Sequence, residues 1–352
     1  MAPKTDLASG LVTLNEIRAA RTRIGGTAVR TPLLDSWLDR PGGTRVWLKC
    51  ESLQHVGAFK LRGAYNYVSS LSEEERADGV VTYSSGNHAQ AVAWSAREFG
   101  IPATVVMPTD APEIKRRAVV AMGGRVEQVG TTTTERKARA EEIVAGGGGA
   151  MVPPFDDATI IAGQGTVGLE IVEQLTAARE RDAGVGRLGL VIVPIGGGGL
   201  LSGVAAAVRG LSPETRIVGV EPEGAPKMRR SLDAGEPVTL DAIDTIADGL
   251  KPVRPGDLTF AHTRDLVDDV VTLSDASIRS AVLWCYGRRL VVEPSGAAAV
   301  AALLSGRVPA SAEGETVAVL SGGNLAPELL QRWMAEAEGS AGAASRETDA
   351  HG

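Results

Sequence analysis

The stretch Gly57-Ala58-Phe59-Lys60-Leu61-Arg62-Gly63-Ala64 sets one lysine among small and apolar residues, where a strand-like run, Arg45 to Glu51, gives way to a helical pattern. A lysine amine is a useful nucleophile toward an aldehyde only when burial or a nearby cation lowers its pKa. Arg62 and the N-terminus of the helix are both placed to contribute, and a lysine so held can form a Schiff base. Alone, such a lysine more often reads as a solvated residue opening a helix. Its flanks, Gly57, Phe59 and Gly63, and three stretches downstream reverse that reading: Ser84-Ser85-Gly86-Asn87-His88, Gly196-Gly197-Gly198-Gly199-Leu200 and Ser321-Gly322-Gly323-Asn324.

Gly196 to Gly199 follow the apolar run Leu190-Val191-Ile192-Val193 and precede Leu200-Leu201-Ser202-Gly203. Backbone N–H groups with no Cβ in the way, backed by a helix N-terminus, make a phosphate cradle. A flexible linker is the ordinary alternative, and the abutting strand argues against it. The spacing is neither the dinucleotide fingerprint nor a Walker loop, because no Lys-Ser/Thr follows. Ser84 to His88 also run from strand through turn to helix, leaving Ser85, Asn87 and local amides free to receive a carboxylate, although an N-cap reads equally well. Ser321 follows the strand Thr316 to Leu320. Glu293, in Val291-Val292-Glu293-Pro294, is a carboxylate in apolar sequence that needs a partner or a raised pKa. Its plainer reading is a helix-terminus charge beside Pro294.

Between these motifs short β-branched runs alternate with helical stretches: Gly79 to Tyr83 before His88 to Phe99, Ala103 to Met107 before Pro112 to Met122, and Leu188 to Val193 before Leu200 to Arg209. That alternation predicts an α/β fold of mostly parallel strands joined by helical crossovers, with continuous apolar strands covered on both faces. All four motifs follow a strand-like run, and open α/β sheets bind ligands at the carboxyl ends of their strands. The tracts Gly146 to Gly149 and Gly184 to Gly189 read as surface loops. Met1 to Gly10 and Ala335 to Gly352 lack apolar periodicity and read as disordered tails.

A chain of 352 residues exceeds the usual single-core range and implies two units. With 36 basic against 43 acidic residues, a net charge of −7 and no basic cluster, nucleic acid and anionic membrane are poor partners. Two cysteines, Cys50 and Cys285, are too few for a disulfide framework or a cysteine metal site. The N-terminus lacks the apolar core of a signal peptide, and no apolar run approaches the roughly 18 residues of a spanning helix. A soluble cytoplasmic protein acting on a small molecule is expected.

Together, in this order and at this spacing, the four motifs resemble the pyridoxal-phosphate (PLP) enzymes of the tryptophan-synthase-β type, fold type II. Within these they resemble the threonine/serine dehydratase (threonine ammonia-lyase) and serine racemase group, over about Leu11 to Trp333. Gly163-Gln164-Gly165-Thr166 and Thr245 to Leu250 match the dehydratase pattern as well. The resemblance implies two open, twisted, mostly parallel sheets flanked by helices, with the cofactor between the domains. Residues 11–78 plus 158–334 would form the large PLP-binding domain and 79–157 a small mobile one. It makes Lys60 the cofactor lysine and the base for the α-proton. Gly196, Gly197, Gly198, Gly199 and Leu200 then hold the phosphate, with Phe59, Glu293 and Ser321 beside the ring and Asn87 on the 3-oxygen. Ser84, Ser85, Gly86, Asn87 and His88 grip the substrate carboxylate, and Ser85 matches the second proton donor of serine racemases. A Ser321 hydroxyl on the pyridine nitrogen cannot keep it protonated as an Asp does, so the cofactor is a milder electron sink, suited to β-elimination.

The implied activity is a lyase: PLP-dependent dehydration of L-threonine, and of L-serine, to a 2-oxoacid and ammonia, by a homodimer or homotetramer. The rivals are an amino-acid (serine) racemase and a dehydratase of another 3-hydroxyamino acid such as 3-hydroxyaspartate or phenylserine. A protein that merely binds PLP or an amino acid ranks last, because Lys60 and the glycine loops are intact. Arg136, Phe155 and the stretch after Gly249 are candidates for side-chain specificity.

The chain departs from the family pattern in two places. The lysine motif usually reads Thr-Gly-Ser-Phe-Lys, and here Val56 and Ala58 remove two hydroxyls. Glu221, Ala225 and Lys227 align with positions that bind a divalent cation in serine racemases, but Lys227 replaces an acidic ligand. Its ammonium repels a divalent ion and is able to take its place; Glu221 with the Ala225 carbonyl is left as a site for a monovalent cation. The chain also ends too soon after Ser321 for the C-terminal regulatory domain of allosteric threonine dehydratases, so feedback by isoleucine is not expected.

Overall fold

The computed structural model of the protein describes residues 10–36 and 45–337. Apart from Gly10 and Ala335 to Ala337, the two tails expected from the sequence lie outside the described residues. The chain runs α1 (Leu14–Ile24), β1 (Leu33–Asp35), β2 (Val46–Cys50), α2 (Lys60–Ser70), α3 (Glu73–Ala77), β3 (Val80–Thr82), α4 (Asn87–Glu98), β4 (Ala103–Met107) and α5 (Glu113–Ala121). It continues through β5 (Arg125–Gln128), α6 (Thr133–Ala145), β6 (Ala150–Met151), α7 (Ala158–Arg181), β7 (Leu188–Pro194), α8 (Gly199–Leu211), β8 (Arg216–Pro222) and α9 (Lys227–Ala234). The later elements are α10 (Asp257–Leu266), β9 (Asp269–Leu273), α11 (Asp275–Gly287), α12 (Pro294–Leu304) and β10 (Glu315–Leu320), and residues 327–337 are helical again, so that 335–337 of the expected tail continue a helix.

Two sheets result. A six-stranded sheet has the order β1-β2-β10-β7-β8-β9, antiparallel only at β1–β2, and a four-stranded sheet, order β5-β4-β3-β6, is parallel throughout. The smaller sheet draws its strands from Val80 to Met151, and the larger takes its strands from the chain on either side. Gly189 falls inside β7 rather than in a loop, because Thr316, Val317 and Ala318 of β10 pair with Leu190, Val191 and Ile192 just after it.

Alternation along the large sheet assigns its two faces. Val191, Val193, Ile217, Val317 and Val319 pack with α1, α7 and α8. Leu190, Ile192, Val218, Val220, Ala318 and Leu320 pack on the other face with α11 and α12. Since both faces are covered, β7 is buried nearly end to end, as a central parallel strand must be. Helices α7 and α8 cross with backbone nearly touching backbone: a Cβ on Gly203 would overlap the Gly165 nitrogen and the Ile161 carbonyl. This close crossing seats α8, and with it the glycine loop, hard against the sheet.

Strands β2, β10 and β7 are neighbours and end together, so the lysine, Ser321 and glycine loops emerge side by side at one sheet edge. Here the topology, rather than any local propensity, gathers the chemistry.

Candidate active site

The backbone entering α2 is strained and pinned. Val56 has φ of 56°, unusual for a β-branched residue, and Gly57 follows at 68°. Asn324 Nδ2 donates to the Val56 carbonyl at 2.9 Å, Gly323 N to the Gly57 carbonyl at 2.8 Å, and Phe59 N to the Ser321 carbonyl at 3.1 Å. Ala58 and Gly322 pair as an isolated antiparallel bridge. The lysine loop and the Ser321–Asn324 loop thus form one zipped unit, which sustains strain of a kind that costs of order 1–3 kcal/mol.

Lys60 is the first residue of α2. Its ammonium donates to the Pro154 carbonyl at 2.6 Å and lies 5.3 Å from the centre of the Phe59 ring. Burial alone lowers its pKa to about 8. The contribution expected from Arg62 is absent, for a geometric reason. Two residues along a helix turn a side chain by about 200°, and the Arg62 guanidinium is fully occupied on the far side by Glu51, at 2.8 Å twice, and by Glu170, at 2.7 and 2.9 Å. Lys49 completes this buried quartet through Glu170 at 2.5 Å. Gln164 and Thr166 belong to the same support, bonding Gly63 N and Arg62 rather than reaching the site.

The glycine loop lies next to Lys60 through Pro154 and Phe155. A Cβ on Gly197 would overlap the Phe155 ring, one on Gly196 would come within 2.6 Å of the Gly249 carbonyl, and Gly198 has φ of +102°. Thr259 Oγ1 donates to the Gly197 carbonyl at 2.7 Å, fixing the loop. The amides of Gly196 to Leu200 donate to no side chain or loop carbonyl among the described residues. Convergent unpaired amides at the start of the 13-residue α8 suit a phosphate dianion, so the residues present fit the phosphate end of PLP.

After β3, the turn at Gly86 starts α4. Asn87 spans the gap between sheets: its Nδ2 donates to Glu293 Oε1 at 2.6 Å and its Oδ1 accepts from Asn324 Nδ2 at 2.8 Å. Glu293 is raised to about 7, by burial first, against the bond from Asn87. Ser85 makes no side-chain hydrogen bond among the described residues, and Ser84 Oγ accepts weakly from Gly86 N at 3.4 Å. His88 departs from its expected place. Its Nε2 is 3.2 Å from the Val152 carbonyl, which accepts only from an N–H, so Nδ1 is a bare acceptor, buried without a partner. Burial, then the charge of Lys60, push its pKa down to about 3. A neutral ring with an acceptor nitrogen repels a carboxylate, leaving only the backbone amide of His88 for that purpose.

Ser321 is buried, its hydroxyl 3.5 Å from the Ser295 carbonyl, and Ser295 Oγ accepts from Gly249 N at 2.7 Å. The Glu221 and Ala225 oxygens named as a monovalent site are already engaged: Lys227 Nζ lies 2.9 Å from Glu221 Oε1 and 3.3 Å from the Ala225 carbonyl. That expectation is corrected, because the side chain beside the site folds back into it. Among the described residues no cluster of His, Cys, Asp and Glu is suited to a metal.

Sequence reasoning missed Pro154 and Thr259, and it quoted Asn324 in a motif without giving it a role; none of the three carries a titratable signal. It missed as well the ion pair of Lys115 with Asp248 at 2.7 Å, which joins α5 to the turn beside the glycine loop. A cavity of about 500 Å³ lined by Tyr83, Lys137, Met151, Pro154 and Phe155 adjoins the site. Arg136 bonds the Thr131 carbonyl and Thr133 Oγ1, with its Nε buried and unpartnered.

A lysine of lowered pKa next to an amide cradle, where parallel strands end together, defines a class: α/β enzymes that hold a phosphorylated aldehyde. The chain belongs to the pyridoxal-phosphate dependent enzyme family, whose model matches residues 24–322. An L-threonine ammonia-lyase of Thermotoga maritima is 40% identical over 325 residues, covering 92% of this chain and 78% of that protein. A serine racemase of Arabidopsis thaliana is 44% identical over 315 residues, covering 88% and 92%. The solved structure of maize serine racemase matches with a TM-score of 0.84 at 38% identity, over 94% of this chain and 98% of that one. No helix among the described residues is long and apolar enough to cross a membrane.

Proposed function

We propose that the protein is a PLP-dependent lyase that dehydrates a hydroxyamino acid, L-threonine first and L-serine second, to a 2-oxoacid and ammonia. The observation that carries the reading is the pairing of Lys60, lowered to about 8, with the unpartnered amide cradle of Gly196 to Leu200. The bound cofactor supplies an electron sink for the pair left at Cα when its proton departs.

Lys60 would hold the cofactor by its aldehyde, and with substrate bound its amine would be free. Freed, its amine takes the Cα proton, and a pKa near 8 keeps a useful fraction unprotonated at neutral pH. Ser84, Ser85, Gly86 and the His88 amide hold the carboxylate at the start of α4, so that Cα is turned toward Lys60. Asn87, tethered to Glu293, would hold the 3-oxygen side of the ring, and burial raises the Glu293 carboxyl to about 7. Ser321 would offer a hydroxyl, not a carboxylate, to the ring nitrogen, which favours elimination over transamination. The β-hydroxyl would leave as water with the proton that Lys60 took from Cα, and the enamine released would be hydrolysed by water to the oxoacid and ammonia. The unit built on the smaller sheet moves to admit substrate, and the protein works as a cytoplasmic homo-oligomer.

Racemisation is the second reading, favoured by the free Ser85 hydroxyl and by the serine racemases among the relatives. The test is oxoacid and ammonia release from L-threonine, L-serine, threo-3-hydroxyaspartate and phenylserine, with chiral analysis of the remaining amino acid and a Lys60→Ala control. Oxoacid that vanishes in the control supports the lyase. D-enantiomer without oxoacid moves the assignment to racemase.

A further inference from the structure

Lys227 is the first residue of α9, yet its side chain is wholly buried and turns inward instead of reaching solvent. Four oxygens surround its ammonium: Glu221 Oε1 at 2.9 Å and the carbonyls of Leu250 at 3.1 Å, Ile195 at 3.2 Å and Ala225 at 3.3 Å. An ammonium has three protons, so four oxygens at such similar distances describe coordination more than a set of directed hydrogen bonds. One carboxylate and three carbonyls form a hard oxygen shell with a single negative charge, suited to a monovalent cation. Glu221 accepts from the amides of Met228 and Arg229 at 2.9 Å each, at the start of α9, and the ammonium lies against the same carboxylate.

The four oxygens come from three separate segments. Ile195 follows β7 and leads into Gly196. Glu221 and Ala225 flank the β8–α9 turn. Leu250 closes the 3-10 turn Asp248–Leu250, whose Gly249 carbonyl abuts Gly196 and whose Gly249 amide is bonded by Ser295. Without a cation these dipoles converge on a buried carboxylate and repel one another, which would spread the walls of the glycine loop.

We propose that Lys227 is a tethered cation: a positioning residue whose ammonium permanently fills an alkali-type cage beneath the glycine loop, making the protein independent of dissolved monovalent ions. The consequence for PLP rests on the glycine loop being the phosphate cradle; the cage itself does not. Truncating the side chain converts an internal cation into a vacant site that small dissolved cations refill.

The experiment compares wild type, Lys227→Ala and the neutral, shape-preserving Glu221→Gln/Lys227→Met at equal ionic strength, with tetramethylammonium, potassium or ammonium as the only cation. The thermal midpoint of the cofactor-free protein and its PLP affinity are read for each. Wild type is expected to show the same values in all three salts. Lys227→Ala is expected to melt lower in tetramethylammonium, to lose PLP affinity roughly 10- to 100-fold, the usual penalty for removing an orienting group behind a bound ligand, and to regain both in potassium or ammonium. A wild type that gains stability from potassium overturns the proposal. So does a Lys227→Ala protein indifferent to the cation. If that variant does not fold, the double variant decides, since wild-type PLP affinity there would show that no charge is needed. Should wild type fail to take PLP at all, the phosphate-loop assignment falls, while the salt dependence of the cofactor-free midpoints still reads the cage.

Discussion

Replacing Arg62 by methionine separates two roles that sequence alone merges. Methionine nearly conserves the volume and removes the charge. Arg62 spends its guanidinium on Glu51 and Glu170, with further bonds to Thr166 Oγ1 at 3.2 Å and the Val29 carbonyl at 3.1 Å. Glu51 is fully buried; burial pushes its carboxyl up, and Arg62 first, with Lys49 and the Thr31 hydroxyl, offsets this and holds it below the usual range. Without Arg62 the quartet keeps two carboxylates against Lys49 alone, and the orphaned charge must protonate or remain unpaired. Breaking one partner out of a buried ion pair costs about 3–5 kcal/mol. Urea denaturation of the cofactor-free variant, followed by tryptophan fluorescence, is expected to show that loss. Because Arg62 points away from Lys60, the pH midpoint for capture of the PLP aldehyde by Lys60 is expected to stay near 8, as burial sets it. A loss of stability under about 1 kcal/mol, or a midpoint raised by a full unit, would refute the reasoning on the quartet or on the cause of the lowered lysine pKa respectively.

Glu293 is raised from 4.5 to about 7, so its contribution is fully present below 4.5 and lost as pH rises through 7, at most about 3 kcal/mol at 1.36 kcal/mol per unit. Glu293→Gln is therefore expected to gain stability relative to wild type between pH 5 and 8, and parallel stability curves over that window would sink the assignment. Gly203→Ala drives a methyl into the backbone of α7 and is expected to cost about 1–3 kcal/mol. A chemical denaturation midpoint equal to wild type would mean that the two helices can part freely.

Much of this was legible in the chain. Continuous apolar runs such as Leu190 to Val193 marked buried parallel strands, and glycines at Gly196 to Gly199 marked a backbone that must be approached closely. The four loops could be placed at strand ends from pattern alone. What could not be read were directions and meetings. Nothing in the order Lys60-Leu61-Arg62 says that the two cations face opposite ways; the helical repeat does, once the helix start is known. His88 reads as a polar residue in a site motif, and only the proximity of Val152 turns its ring inward. The cage of Lys227 draws oxygens from Ile195, Glu221, Ala225 and Leu250, a convergence invisible to spacing. Carbonyl partners such as Pro154 leave no sequence signal at all, since every residue has one.

The position of β10 between β2 and β7 has a consequence for how the protein is made. While the chain is being synthesised, β2 emerges early with one edge open, and its central neighbour arrives only when nearly the whole chain is out. At about 5–20 residues per second that interval is on the order of ten seconds or more. Until then β1–β2 and β7–β8–β9 are two half-sheets with unprotected edges, prone to pair with other chains. The Ala58–Gly322 bridge forms last as well, so the lysine loop acquires its shape only at the end. Cofactor loading thereby becomes a late event, and a chain stopped before Leu320 is expected to expose both edges and to capture no aldehyde.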